Sequence, residues 1–455
     1  MSLGAFRLNR RILVVVVGLW AGVSLISCGG SIYPGGGGKG PPSGLRNRVA
    51  ASQGVTSTFT FGGIRLINGL NDTIPTVSEL SAGSSPGLMA ISPTRNILVA
   101  FDASSNFVFA ENTTTESGLG NVHLPGPTSS MVVPTADQIG YAAVPSASVT
   151  GYSFLGAVEV LNLSAGAITS TIGVTQAQTV VANASGSQLL VFSSDSDSVT
   201  VLYPGSAVPP VDTSCFSNPP NATCAIITGF DRPVNAIISG STAYILNCGA
   251  ECGGTQASVQ TLDLATLVVG TPIKVNGATI ALMSGTQLYV AGNGTGTGPL
   301  CSSITGASKT AATYCGTLDI VDLNTMTDPY YNSPSTEIAI TDGYHDRIDL
   351  SLNGQLFVGS HDCTDVGNVN NPVGEVRGCL AIFNTVKNTV VFPPDNGDVT
   401  GLQGFTQRNI EYVAEGGFLR VYDTTKDVLL INDFVPQGTI NVVGYVGDVK
   451  AIDFF

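Results

Sequence analysis

The feature that most constrains this chain is a short strand pattern that returns eight times. A small residue is followed by alternating apolar positions and ends near Asp or Asn. The clear copies are Gly63–Asn68 (GIRLIN), Ala157–Asn162 (AVEVLN), Ser258–Asp263 (SVQTLD), Thr317–Asp322 (TLDIVD), Cys379–Asn384 (CLAIFN) and Phe418–Asp423 (FLRVYD). Weaker copies lie at Asn106–Glu111 and Ser198–Tyr203. From Asn68 to Asp423 the copies recur about every 51 residues, close to the roughly 40–50 of propeller blades. Before seven of them comes a second motif, apolar strand, tight turn, apolar strand, as in Leu350-Ser351-Leu352-Asn353-Gly354-Gln355-Leu356-Phe357. Asn-Gly favours a two-residue type I′ turn because both positions tolerate positive φ. That turn would pair Leu352 with Gln355, Asp346 with His361 and His345 with Asp362.

Each repeat thus supplies an inner hairpin (strands A and B) and an outer pair (C and D). Four antiparallel strands per repeat make a propeller blade. The composition agrees: Gly is abundant and only 11% of residues are charged, well below the usual quarter. The first repeat has only a weak strand before it, Arg48–Ser52, and the last segment, Asp448–Asp453, is an unpaired inner strand. Pairing them closes one blade from both chain ends and leaves no open sheet edge. The expectation is an all-β, eight-bladed β-propeller over residues 47–455, with seven blades as the alternative count. The repeats resemble the YVTN-type, surface-layer-like β-propeller family, on Ser92-Pro93 and Leu288-Tyr289-Val290. Thr94-Arg95 departs from its Asp-Gly. That family mixes binding proteins with a few enzymes, so the resemblance implies a fold and no reaction.

The first 27 residues read as a signal peptide. Arg7, Arg10 and Arg11 precede an apolar run, Ile12–Ile26, too short for a confident membrane span. Leu25-Ile26-Ser27-Cys28 resembles the bacterial lipobox, which implies a lipidated Cys28 at the mature N-terminus and anchoring by several acyl chains. Residues 28–46 are rich in Gly and Pro and read as a tether reaching about 20–25 Å. Gly29 after Cys28 favours the outer membrane. The expected location is the cell envelope, with a membrane partner through the lipid. Losing the three arginines takes the net charge from −14 to −17, which argues against nucleic acid. A monomer is expected.

The eight cysteines after Cys28 fall into local pairs: Cys215/Cys224, Cys248/Cys252, Cys301/Cys315 and Cys363/Cys379. In an exported chain they read as disulfides. No paired C-x-x-C suggests zinc and no C-x-x-C-H suggests haem, so neither metal nor cofactor is expected. Three pairs fall in the B–C loops of blades 5, 6 and 7, placing three stapled loops on one face. The fourth falls in a C–D connection on the other face. The one concentrated polar cluster is His345, Asp346, Arg347, His361 and Asp362, in a chain with only three histidines. It reads either as a general base or as a hydrogen-bonded plug at the blade mouth. The sequence therefore suggests a binding or scaffold module for an envelope protein, a glycan or a small ligand. The alternative is a metal-assisted lactonase-like hydrolase or lyase at the axial mouth.

Overall fold

The computed structural model describes residues 41–135, 138–205, 217–218, 222–294, 315–333, 336–363, 379–393 and 397–453. The segment expected to be a signal peptide, Cys28 and most of the expected tether lie outside the described residues.

Eight antiparallel sheets account for the strands, one per blade. Blade 1 is built from Arg48–Gln53, Gly63–Asn68 and Glu79–Leu80, with Val449–Ala451 as its innermost strand. The inner strands of the other blades are Pro86–Ile91, Ser130–Val132, Ala177–Ala182, Pro233–Ser239, Ile280–Ser284, Tyr344–Leu350 and Val399–Phe405. Each lies beside the inner strand of the next blade, and the last, Val399–Phe405, returns to Val449–Ala451. The ring is closed with eight blades. Two blades carry an extra strand: Ser217–Asn218 extends blade 3, and Thr439–Ile440 pairs with the C strand of blade 8.

The alternation of the strands explains the packing. Apolar side chains from both faces of each sheet fill the spaces between blades, so a single core cluster joins Phe357 of blade 7 to Val413 and Tyr422 of blade 8. Another joins Val49 and Val449 of blade 1 to Tyr412 of blade 8. Burying such side chains contributes about 1.5–3 kcal/mol each. The tight turns Gly240-Ser241 and Gly285-Thr286 use a positive φ only at the glycine (60° and 59°), the pattern of a type II′ hairpin.

The Asn353-Gly354 turn departs from expectation. Only Gly354 has a positive φ (77°). The strands close at Leu350↔Leu356, and Ser351 N donates to Gln355 O at 2.8 Å. A longer loop replaces the two-residue turn. The register also shifts between His345 and Arg347, so Tyr344 opposes His361 and His345 opposes Ser360. The pairings expected for Asp346 with His361 and His345 with Asp362 do not occur in the ladder.

Closure is electrostatic as well as apolar. Val49↔Ala451 and Ala51↔Val449 pair the two chain ends. Arg48, buried at the start of its strand, donates from Nε and Nη2 to the Asp453 carboxylate at 2.9 and 2.8 Å. Its Nη1 reaches Glu116 at 3.0 Å and the Thr113 carbonyl, so one guanidinium ties the C-terminal strand to blades 1 and 2. Across the other seam, Arg408 of blade 8 grips Asp72 of blade 1 with two 2.7 Å bonds, and the Tyr412 hydroxyl donates to the same carboxylate at 2.6 Å. Removing one partner of a buried pair strands the other, at a cost of about 3–5 kcal/mol. Arg48→Ala should therefore lower unfolding stability by about that amount in a urea titration. A change below about 1 kcal/mol would mean the seam is held by the sheet alone.

Candidate functional site

Strand A of each blade runs from the D–A connection to the A–B turn, so the D–A and B–C connections share one face. The loop of blade 5 is closed by the Cys248–Cys252 disulfide around a short 3-10 turn, Gly249–Cys252. The loop of blade 7 is closed by Cys363–Cys379. Cys224 is disulfide-bonded and lies near the start of the D strand of blade 4, Thr223–Thr228, opposite Leu202, and not in the C–D connection where the spacing puts it. Cys215 and Cys301 lie outside the described residues, as does the side chain of Cys315.

Of the five polar residues singled out in blade 7, three come together. His361 Nε2 lies 3.0 Å from the Asp346 carboxylate. Arg347 Nη1 donates to the same carboxylate at 2.9 Å, and its Nε donates to the Thr400 carbonyl of blade 8 at 2.6 Å. The bulge at Asp346 makes this possible: it turns the carboxylate toward His361, although the two residues are not directly opposed. The bond to Asp346 raises His361 above the usual histidine value. His345 points elsewhere. It is fully buried, and its Nε2 lies 2.7 Å from the Thr341 carbonyl. Burial pushes it down to about 4, so the ring is neutral at physiological pH. Asp362 has a positive φ of 52°, and its N–H donates to Asp398 at 2.9 Å. His345 and Asp362 therefore do not join the cluster.

A cavity of about 310 Å³ opens beside this cluster, lined by blade 4, the start of blade 5, Cys252 of the stapled loop and Tyr344 of blade 7. Three elements set its walls. The Asp231 carboxylate accepts the N–H groups of Thr255 and Gln256 at 3.0 and 2.8 Å, drawing the stapled loop down onto the blade. Cys248 N donates to the Arg232 carbonyl at 2.9 Å, and Arg232 sits at a φ of 56°, a conformation few side-chain-bearing residues adopt. Glu251 accepts two 2.9 Å bonds from Asn293 of blade 6, whose Nδ2 also donates to the Gly343 carbonyl at 2.7 Å, just before Tyr344. Burial pushes Glu251 up to about 7, against the two Asn293 bonds. Desolvation, reinforced by Asp346 and Glu251, pushes the Tyr344 phenol up to about 12.

Sequence reading passed over Arg232, Asp231 and Glu251. Each is an ordinary loop residue, and its role depends on which blades the ring brings side by side. Among the described residues, no group of three or more His, Cys, Asp or Glu side chains is placed to hold a metal ion.

The two histidines should titrate apart. A raised folded value for His361 stabilises the fold below the unfolded value of 6.5, and that contribution is lost as pH rises through the folded value. For His345 the sign reverses: the unfolded chain takes up the proton first, so stability falls as pH drops from 6.5 toward about 4. NMR titration should put the His361 midpoint above 6.5, and Asp346→Asn should bring it down. His345 should stay neutral to about pH 4. Overlapping midpoints near 6.5 would contradict the geometry.

No protein-family model matches the chain, and no curated protein does. Solved structures do. One, described as dihydro-heme d1 dehydrogenase NirN in complex with DHE, is similar over 91% of this chain and 77% of its own, at 10% identity and a TM-score of 0.57. Another, hydrazine synthase from Kuenenia stuttgartiensis, is similar over 75% of this chain and 77% of its own, at 14% identity and a TM-score of 0.42. At such identities, the first likeness shows that this chain is a β-propeller and shows nothing about its chemistry.

Proposed function

We propose that this chain is an envelope-anchored propeller that binds a small ligand on the face carrying the stapled loops. The observation that carries the reading is the 310 Å³ cavity walled by Arg232, Tyr344 and the Cys248–Cys252 loop. Ligand sites are concave, with a few convergent polar groups, and start at about 300 Å³. Long loops on a rigid scaffold are where binding concentrates. The NirN structure of similar fold has a ligand bound, which is in keeping with a propeller as a ligand holder.

A second reading rests on the His361–Asp346 contact of 3.0 Å. A carboxylate that orients an imidazole can make it a general base, as a hydrolase or lyase would need. Under this reading His361→Ala abolishes turnover of a lactone panel while folding is retained. Equal turnover in the variant would reject it.

Two measurements test the main proposal. The mature protein, purified from envelope extract and denatured, should release a small molecule detectable by mass spectrometry. Ser194→Trp, which fills the cavity, should release none. Identical profiles from the two would overturn the ligand reading. Separately, Cys28→Ser should move the protein from the membrane to the soluble fraction, and continued membrane retention would overturn the lipid anchor.

A further inference from the structure

Between the C strand of blade 6, Cys315–Asp322, and its short D strand, Ile338–Ile340, residues 328–332 form a strap laid against the body of the propeller. Three hydrogen bonds fasten it. Asn276, in the connection that enters blade 6, donates from Nδ2 to the Tyr330 carbonyl and accepts the Asn332 N–H, both at 3.3 Å. The Tyr331 hydroxyl donates to Gln256 of the stapled loop in blade 5 at 3.0 Å. A fourth contact is of another kind. Asp319, fully buried on the C strand, accepts the Asn276 N–H at 2.8 Å, the Asn276 Nδ2 at 2.6 Å and the Gly277 N–H at 3.4 Å, so both its oxygens have donors. Asp328 of the strap meets this carboxylate. Its Oδ1 accepts the Tyr330 N–H at 2.8 Å. Its Oδ2 is buried, and no N–H or O–H among the described residues donates to it.

We infer that Asp319 and Asp328 hold one shared proton at neutral pH, and that this proton is the catch of a pH-sensitive strap, which lies on blade 6 with the proton in place and lifts when it is lost. Two ionised carboxylates in contact inside a protein repel, and a proton between them turns the repulsion into a hydrogen bond. The other groups that bear on the pair are Asn276 and Gly277 from the entering connection and the Tyr330 N–H from the strap, and none of these is a cation. Asp319 is the acceptor, since N–H groups already fill its oxygens. Asp328 Oδ2, the oxygen without a donor, carries the proton. Burial pushes Asp328 up to about 6, against its bonds to Tyr330 and Asp319. Burial and the Asp328 charge hold Asp319 well above 3.8. The two titrate as a pair. Their folded values exceed the unfolded one, so the folded chain keeps a proton that the unfolded chain has lost, and the fastening fades as pH rises through the folded values. Through Tyr331 and Gln256 the catch reaches the stapled loop, where the Gln256 N–H bonds Asp231 at 2.8 Å. The inference stands apart from the ligand reading and does not depend on it.

The test is hydrogen exchange on the mature chain as a function of pH. Once the intrinsic exchange rate is divided out, protection of the amides in residues 328–332 should fall about tenfold or more between about pH 6 and 9, while that of Leu189–Ser193 in blade 4 stays constant. Asp328→Asn puts a permanent N–H donor where the proton sits, so its strap should stay protected across the whole range. Asp328→Ala, which has neither donor nor acceptor, should leave the strap exposed at every pH. An infrared difference spectrum at neutral pH, wild type minus Asp328→Asn, should show one protonated carboxyl band. Strap protection in the wild type that ignores pH, a pH response that persists in Asp328→Asn, or a difference spectrum without the carboxyl band would each overturn the shared proton. The wild-type titration needs no variant, so it decides the matter even where a substitution prevents folding.

Discussion

The whole structure depends on one seam, where a strand from the C-terminus completes a blade begun near residue 48. A propeller blade left with an open inner edge exposes a row of unpaired N–H and C=O groups beside the axis. Val449–Ala451 covers that edge, and Arg48 fixes it by holding Asp453 and Glu116 at once. Asp448 contributes on the other side of the same strand: its carboxylate accepts the Met89 N–H of blade 2 and the Lys450 ammonium, both at 2.8 Å. Sheet pairing alone would allow that three-residue strand to slip by one residue and reverse its faces. The Arg48–Asp453 ion pair at one end and the Met89 N–H bond to Asp448 at the other hold it in the observed register.

Closure matters for the site because the cavity has no local existence. Gln178, Arg232 and Tyr344 come from three blades and lie as much as 166 residues apart in sequence, from 178 to 344. Only a ring whose inner strands stay in fixed contact can hold them around one space. Onto this frame the stapled loop adds a second layer of control. Asp231 and the Cys248–Cys252 bridge hold Arg232 in a backbone conformation that costs energy, and Glu251 links the same loop to blades 6 and 7. Rigidity of this kind lowers the entropy lost when a ligand binds.

The alternation in segments such as Val158-Glu159-Val160 and Leu380-Ala381-Ile382 made the strands legible in the sequence, because a period of two has one structural meaning. The unpaired Asp448–Asp453 segment made closure legible, since a lone inner strand needs a partner and Arg48–Gln53 was the one element without its own. The cysteine spacing likewise placed the loops of blades 5 and 7 on one face. The site was less legible. The bulge at Asp346 and the longer turn at Ser351–Gln355 cannot be seen in the residue pattern of one repeat, although a like irregularity recurs near the start of the inner strand in blades 2, 4, 5 and 8. Counting outward from Asn353-Gly354 therefore paired the wrong residues, although His361 and Asp346 still meet through the bulge. Arg232 and Glu251 gave no signal at all, for their significance comes from neighbours more than 30 residues away in the chain.

Hydrogen exchange at the closing strand tests the central claim most directly. If the ring is closed as described, amides in the peptide spanning residues 448–453 exchange only as fast as the whole propeller unfolds, matching those of Leu189–Ser193 deep in blade 4. Exchange of the terminal peptide within seconds, while blade 4 stays protected, would show that the seam is open in solution and would remove the frame on which the cavity is built.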